Sequence, residues 1–378
     1  MRNVVLCCKY VLKCGVIRFK VERVVMLEGK KIEKLTRPEM AALGAYSAHT
    51  SPETLADRVP AGNIVKLDAN ENPYGCSPGV RNALADYTDW NIYPDAAQTR
   101  LRQQLQEYIG ADASRIVAAM GSGELLDDIM CLFLAPGDEV INCIPTFDLY
   151  RVRTLVNGGK LVNIKRGEDF VVDVTAIKTA LTKKTKLIIL ANPNNPTGNV
   201  TPQKDIIELA DTGVPLLIDE AYYEFCGETV LPLVKQYPNL MVLRTFSKWA
   251  GLAGLRIGYG IFPPEVAGYL LKIKLPYNVN VAALVAAQES LKDAAYLMEN
   301  VKAIIAERER LSAKLKEIKW LKQYPSKANF IFCSLLKGET KVLCRKLQEK
   351  GILVRYFDQP LLQNSFRVSV GKPEQSDV

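Results

Sequence analysis

The chain has 378 residues, 48% hydrophobic and 24% charged, with a formal net charge of +8, the profile of a globular protein of about two domains with room for a full core. Its bases are interleaved with acids, which reads as a solvated surface and not as a nucleic-acid footprint, and no run approaches the ~18 apolar residues needed to span a bilayer. Nine cysteines without paired CxxC spacing support neither a disulfide framework nor a zinc site, and the one histidine, His49 in a polar turn-like stretch, excludes His-rich metal sites.

Residues 1–36 read as an extension of uncertain structure. The first 21 residues hold several bases and no acid, faintly like a transit segment but poor in Ser. The expected location is therefore the cytoplasm, or a plastid stroma if the extension is such a segment. Residues 37–75 form an arm whose first part, to Gly62, is rich in small, polar and turn residues. From 76 to 285 short β-rich runs alternate with helical spacing, with strands expected at Ile116–Met120, Glu139–Ile144, Lys160–Lys165, Lys186–Ala191, Pro215–Ile218, Met241–Arg244 and Ile257–Ile261. The alternation predicts an α/β fold with a largely parallel sheet covered on both faces. From 286 to 378 the texture becomes that of a smaller α+β domain, with a charged helix near 296–319, a strand at 329–333, a helix at 340–349 and strands at 352–356 and 366–370.

Open parallel sheets bind ligands beyond the carboxyl ends of their strands, and four strand ends here carry polar residues. Gly121-Ser122-Gly123-Glu124 opens a helix, where small residues and the helix dipole suit an anion; no GK[ST] follows, so it is not a Walker A loop. Asn192-Pro193-Asn194-Asn195-Pro196-Thr197-Gly198 is a turn whose Asn195 has an amide to donate to a phenolate oxygen. Asp219-Glu220-Ala221-Tyr222 ends a buried strand, so Asp219 needs a partner, and a protonated pyridine nitrogen is a suitable one. Thr245-Phe246-Ser247-Lys248 leads into Gly251-Leu252-Ala253-Gly254-Leu255-Arg256. A lysine among small and apolar residues acts as an amine nucleophile, and Arg256 suits a phosphate. The glycine spacing there lacks the helix and downstream acid of a dinucleotide fingerprint.

As a set, these residues resemble the fold-type I pyridoxal-phosphate enzymes of the aspartate-aminotransferase fold, most closely the histidinol-phosphate aminotransferases, from about residue 37 to the C-terminus. The resemblance is carried also by Lys66-Leu67-Asp68-Ala69-Asn70-Glu71-Asn72-Pro73-Tyr74-Gly75, Tyr93-Pro94-Asp95, Pro145-Thr146-Phe147 and the segment Arg244 to Gly260. It implies a large domain with a mostly parallel seven-stranded sheet, and pyridoxal phosphate as cofactor. Lys248 would hold the cofactor and move protons between Cα and its C4′ carbon, while Asp219 would keep its pyridine nitrogen protonated. Asn195 and Tyr222 would hold the ring oxygen, Phe147 would stack on the ring, and Gly121, Ser122, Gly123, Thr245, Ser247 and Arg256 would hold the phosphate. Tyr93 would reach the neighbouring subunit's cofactor, implying a homodimer. Substrate would be met by Tyr46, Asn72, Arg355 and Arg367, the two arginines serving both a phosphate and a carboxylate.

The activity implied is amino transfer between L-histidinol phosphate and 2-oxoglutarate, giving imidazole-acetol phosphate and glutamate in histidine biosynthesis. Aromatic-amino-acid transamination and threonine-phosphate decarboxylation remain open on the same scaffold. The chain departs from the family at Gly123, where a polar residue is frequent, and at Val378, where the family continues into one more helix, an expected weakening of the small domain.

Overall fold

The computed structural model describes residues 64–357 and 359–378, together with short segments before them: residues 7–9, 12–13, 16–17, 20–22, 35–37, 40 and 43. The chain divides into two units, Met1–Ala45 and Tyr46–Val378. In the first, β1 (Cys7–Lys9) pairs antiparallel with β4 (Lys20–Glu22), and β2 (Leu12–Lys13) pairs antiparallel with β3 (Val16–Ile17). No described helix is long and apolar enough to cross a membrane.

The second unit is built on a seven-stranded sheet of β6 (Ile116–Ala119), β7 (Glu139–Ile144), β8 (Lys160–Lys165), β9 (Thr185–Ala191), β10 (Leu216–Asp219), β11 (Leu240–Thr245) and β12 (Gly258–Ile261), in the order β6-β12-β11-β10-β9-β7-β8. β12 runs antiparallel to both neighbours, and the other adjacent pairs are parallel. Every expected strand is present within one or two residues. Helices cover both faces, so β6, β10, β11 and β12 are buried at every residue. The pleat sends successive side chains to opposite cores: Ile188, Leu190, Ile218 and Val242 to one, and Leu187, Ile189, Leu217 and Leu243 to the other. Edge strand β8 exposes Lys160, Asn163 and Lys165, charges and an amide that discourage further strand addition.

A five-stranded sheet follows, in the order β13 (Leu321–Gln323), β14 (Phe330–Leu335), β16 (Ser365–Ser369), β15 (Ile352–Tyr356) and β5 (Val65–Leu67). The helix Ala294–Glu317 packs against it through Leu311. Two of these strands differ from the sequence expectation. β5 lies in the stretch read as an arm, yet it pairs parallel with β15, Leu353 opposite Lys66. β13 was not anticipated either. Each is three residues long, too short for a period-2 pattern to stand out, and each is a strand because a longer neighbour offers it a ladder.

The carboxyl ends of β10 and β11 are locked by a buried pair. Glu220 Oε2 accepts from Arg244 Nε at 3.0 Å and Nη2 at 2.8 Å, and the guanidinium lies 3.7 Å over the Tyr223 ring. Thr229 Oγ1 and Val230 N–H donate to the same carboxylate. A buried ion pair adds little net stability against its desolvation. Its consequence here is geometric: Asp219 and Lys248 are carried on fixed strand ends.

Candidate active site

A cavity of about 450 Å³ opens at the carboxyl ends of the parallel strands. Gly121, Ser122, Gly123, Phe147, Asn195, Asp219, Tyr222, Thr245, Ser247, Lys248, Arg256, Arg355 and Arg367 all line it. Their sequence separations reach 246 residues (121 to 367), so this assembly is the product of the fold. Two other expected site residues, Asn72 and Tyr93, are not among the lining residues. Asn72 is buried away from the cavity, its Nδ2 donating to Trp249 O at 2.9 Å and its Oδ1 accepting from Tyr74 N at 2.9 Å. It ties the loop after β5 to the lysine segment. Tyr93 is 77% exposed and stacks on Tyr277 with ring centroids 4.4 Å apart. Tyr46, like His49, lies outside the described residues.

At one end of the cavity, β6 turns through Gly121 into the helix Ser122–Phe133, whose first-turn N–H groups lack helical acceptors. Gly121 has φ +79°, and a Cβ there would stand 2.9 Å from Arg256 Nη2, so the turn and the guanidinium meet because a side chain is missing. Glu124 Oε2 accepts from Met120 N–H and from Asn278 Nδ2, bracing the turn from behind. Thr245 Oγ1 donates to Ser247 Oγ at 2.9 Å. Gly123 has ordinary room for a side chain, with its nearest neighbour Leu149 Cδ2 at 3.5 Å from a built Cβ, so a polar residue would fit.

Gly258 sets how closely β12 approaches this turn. A Cβ there would fall 2.4 Å from Ser122 N and 2.8 Å from Gly121 C, both backbone atoms that cannot swing aside. Gly258→Ala is expected to cost about 1–3 kcal/mol, the range for overpacking, and to push Gly121 and Ser122 out of position. Thermal melting together with inorganic phosphate affinity checks this; a variant matching the parent in both would show that the turn yields freely.

At the centre, Lys248 is a half-buried residue whose Nζ donates to Ala69 O at 3.2 Å. Burial, with Arg367, Arg256 and Lys66 nearby and Glu71 opposing them, lowers its pKa to about 8. Asp219 is buried, and loss of water drives its pKa up while hydrogen bonds from Tyr150 and the Ala221 N–H pull it back. Tyr222 Oη accepts from Asn70 Nδ2 at 2.9 Å, and Asn70 sits at φ +54° with its own O held by Asn329. At the other end, Arg367 on β16 is 4% exposed. Its Nη1 donates to Asn195 Oδ1 at 2.5 Å and its Nη2 to Asp68 O at 2.7 Å. Arg355 on β15, opposite Arg367 in the ladder, lines the same end.

Sequence reasoning missed Tyr150, Asn70, Glu71, Phe357 and Gln359 as lining residues. For Tyr150 a signal existed: it follows Phe147 by three residues at a helix start, one turn along the same face. Asn70 carries no comparable local signal, because its partners Tyr222, Asn329 and Ser369 lie 152, 259 and 299 residues away.

The arrangement joins a nucleophilic amine, a buried acid, an anion cup and a guanidinium pair around one cavity. Residues 62–378 match the family described as aminotransferase class I and II. A histidinol-phosphate aminotransferase of Dehalococcoides mccartyi is 49% identical over 346 residues, covering 92% of this chain and 96% of the relative. A chloroplastic histidinol-phosphate aminotransferase of Nicotiana plumbaginifolia is 44% identical over 348 residues, covering 90% and 84%. Among solved structures, the histidinol-phosphate aminotransferase of Sinorhizobium meliloti in complex with pyridoxal-5′-phosphate superposes with a TM-score of 0.81 at 27% identity, covering 90% of this chain and 94% of that one. The chain belongs to the class I and II aminotransferases, among the histidinol-phosphate aminotransferases.

Proposed function

We propose that this protein transfers an amino group between L-histidinol phosphate and 2-oxoglutarate, giving imidazole-acetol phosphate and glutamate, as a step in histidine biosynthesis. The observation that carries the reading is Lys248 in one cavity with a buried acid, Asp219, and with Arg355 and Arg367 from the second sheet.

The residues fit pyridoxal phosphate. Asp219 is a buried carboxylate on the cavity wall, matched to a pyridine N–H. The glycine turn, Thr245, Ser247 and Arg256 offer the N–H, hydroxyl and guanidinium donors a phosphate needs. Asn195 keeps its amide N–H₂ for a ring oxygen, since Arg367 takes its carbonyl. The cofactor, when bound, supplies the electron sink that stabilises negative charge at the substrate Cα.

Phe147 would bear on one face of the ring, and Tyr222 would share the ring oxygen with Asn195. Lys248 Nζ would anchor the cofactor and carry the proton to and from Cα, an amine whose lowered pKa suits both tasks. Arg355 and Arg367 would bind the phosphate of one substrate and the distal carboxylate of the other in turn.

Division of the body into a large domain (76–285) and a small domain (286–378), with 37–75 as an arm and 1–36 as an extension, belongs to the same proposal. So does a homodimer. Trp90, Ile92, Tyr93, Leu275 and Tyr277 are exposed, and the Tyr93–Tyr277 stack joins their two segments into one apolar surface suited to a second copy. Tyr93 would then reach the partner's cofactor. A cytoplasmic or plastid-stromal location is proposed with it, given that some relatives are named chloroplastic.

The test is a half-reaction. Cofactor-loaded protein mixed with histidinol phosphate alone should shift to the absorbance of the pyridoxamine form, and 2-oxoglutarate should reverse the shift. No shift with histidinol phosphate would sink the substrate assignment. Release of CO₂ without need for an oxo acid would point to decarboxylation instead.

A further inference from the structure

Tyr150 is 1% exposed, on the helix Leu149–Val156 that begins just after Phe147. Its ring meets Phe147 edge-on, with centroids 5.7 Å apart, and packs in the core formed with Val140, Leu187 and Ile189. Its hydroxyl donates to Asp219 Oδ2 at 2.7 Å, while Asp219 Oδ1 accepts from the Ala221 N–H at 3.1 Å. Each carboxylate oxygen is thus fixed by one protein donor, and the two donors come from different elements. An ionised carboxylate retains further lone pairs, so the acid can still accept a third donor from the cavity.

We propose that Tyr150 is a positioning residue for the ring-nitrogen site: its hydroxyl holds Asp219 ionised and aimed so that the carboxylate accepts the pyridine N–H. The inference rests on the reading that this cavity holds pyridoxal phosphate. Burial favours the neutral acid, and a donor to the charged form opposes that drift. A protonated Asp219 would lose the charge that keeps a proton on the ring nitrogen. Among the described residues, the titratable or charged groups that act on the pair include Lys248 on the lysine segment, Glu220 next in the chain, Tyr222 two residues further, and Arg166 just after β8, beyond Tyr150. The direct donors to the Asp219 carboxylate are the Tyr150 hydroxyl and the Ala221 N–H. The hydroxyl therefore acts on this acid directly, while its ring places Phe147. One turn of helix couples the wall against the ring face to the acid at the ring nitrogen.

Tyr150→Phe keeps the packed ring and removes only the donor. Apoprotein would be titrated with pyridoxal phosphate across a range of pH for the parent, Tyr150→Phe, Asp219→Asn and the double variant, with melting of each apoprotein recorded. In Tyr150→Phe, cofactor affinity should fall roughly ten- to a hundredfold, the range for a hydrogen bond to a charged group, and the acid-side loss of affinity should move to higher pH. In the Asp219→Asn background, where no acid remains to be held ionised, the same substitution should change affinity by no more than about twofold. Equal losses in both backgrounds, or parent-like affinity in Tyr150→Phe, would overturn the proposal. A parent protein that binds no pyridoxal phosphate would overturn the cofactor reading itself, which is a separate result.

Discussion

Lys248→Ala should lower kcat/KM by at least about ten-thousandfold, the upper range for a positioned general acid–base group, because on the proposed mechanism it deletes anchor and proton carrier together. The amine is unusual for a lysine. Burial first, then the positive charge of Arg367, Arg256 and Lys66, brings its pKa to about 8, with Glu71 pulling the other way. At neutral pH roughly a tenth of it is uncharged, against less than about a thousandth of an ordinary lysine. The pH dependence follows in sign. The uncharged fraction rises with pH through about 8 and then levels, so the rate at which parent apoprotein takes up the cofactor aldehyde should climb and plateau in the same way. Lys248→Arg keeps the charge but cannot release a proton near neutrality, so it should be as inactive as the alanine variant. Both variants should melt near the parent temperature, since Nζ makes one backbone hydrogen bond in the cavity. Stopped-flow and steady-state rates with histidinol phosphate check this; turnover above about a hundredth of the parent rate would remove Lys248 from the chemistry.

How far such a site can be read in advance depends on whether its signal is local. Strand runs such as Leu187-Ile188-Ile189-Leu190 announce themselves because both faces of a parallel strand are buried, and the residue just past each strand end is placed by the strand. That is why Gly121, Asn195, Asp219 and Lys248 were legible as candidates from spacing alone, though their convergence on one cavity was not. Family resemblance, and not spacing, supplied Arg355 and Arg367. At the Asn72 motif the structure adds what neither route gave: the Asn72 amide bonds Trp249 O and Tyr74 N–H, and the cavity is lined by Asn70 and Glu71 beside it. Which asparagine of the motif faces the site is decided by the left-handed backbone of Asn70, a conformation that Asn tolerates but that its presence does not dictate. β5 was illegible for a related reason. Three residues carry no period, and its pairing with β15 spans 287 residues (Val65 to Ile352).

Arg367→Ala should weaken both substrates at once, and more than Arg355→Ala. Arg367 is buried and gives Nη1 to Asn195 and Nη2 to Asp68 O, whereas Arg355 is partly exposed, so an anion at Arg367 is met in a drier place where a charge pair is worth more. Truncating one partner of a buried charged contact costs about 2–5 kcal/mol, which is a loss of roughly thirty- to several-thousandfold in kcat/KM. The loss should fall on histidinol phosphate and on 2-oxoglutarate alike, because in the proposed clamp one guanidinium would meet the phosphate of the first and the distal carboxylate of the second. It should also reach kcat, since Asn195 loses the donor that fixes its carbonyl and with it the direction of its amide. Arg367→Lys separates these effects. It restores a positive charge but not the fork, so KM should recover in part while kcat stays low. A variant whose defect is confined to one of the two substrates would show that the anions are bound by different residues, and the shared clamp would have to be abandoned.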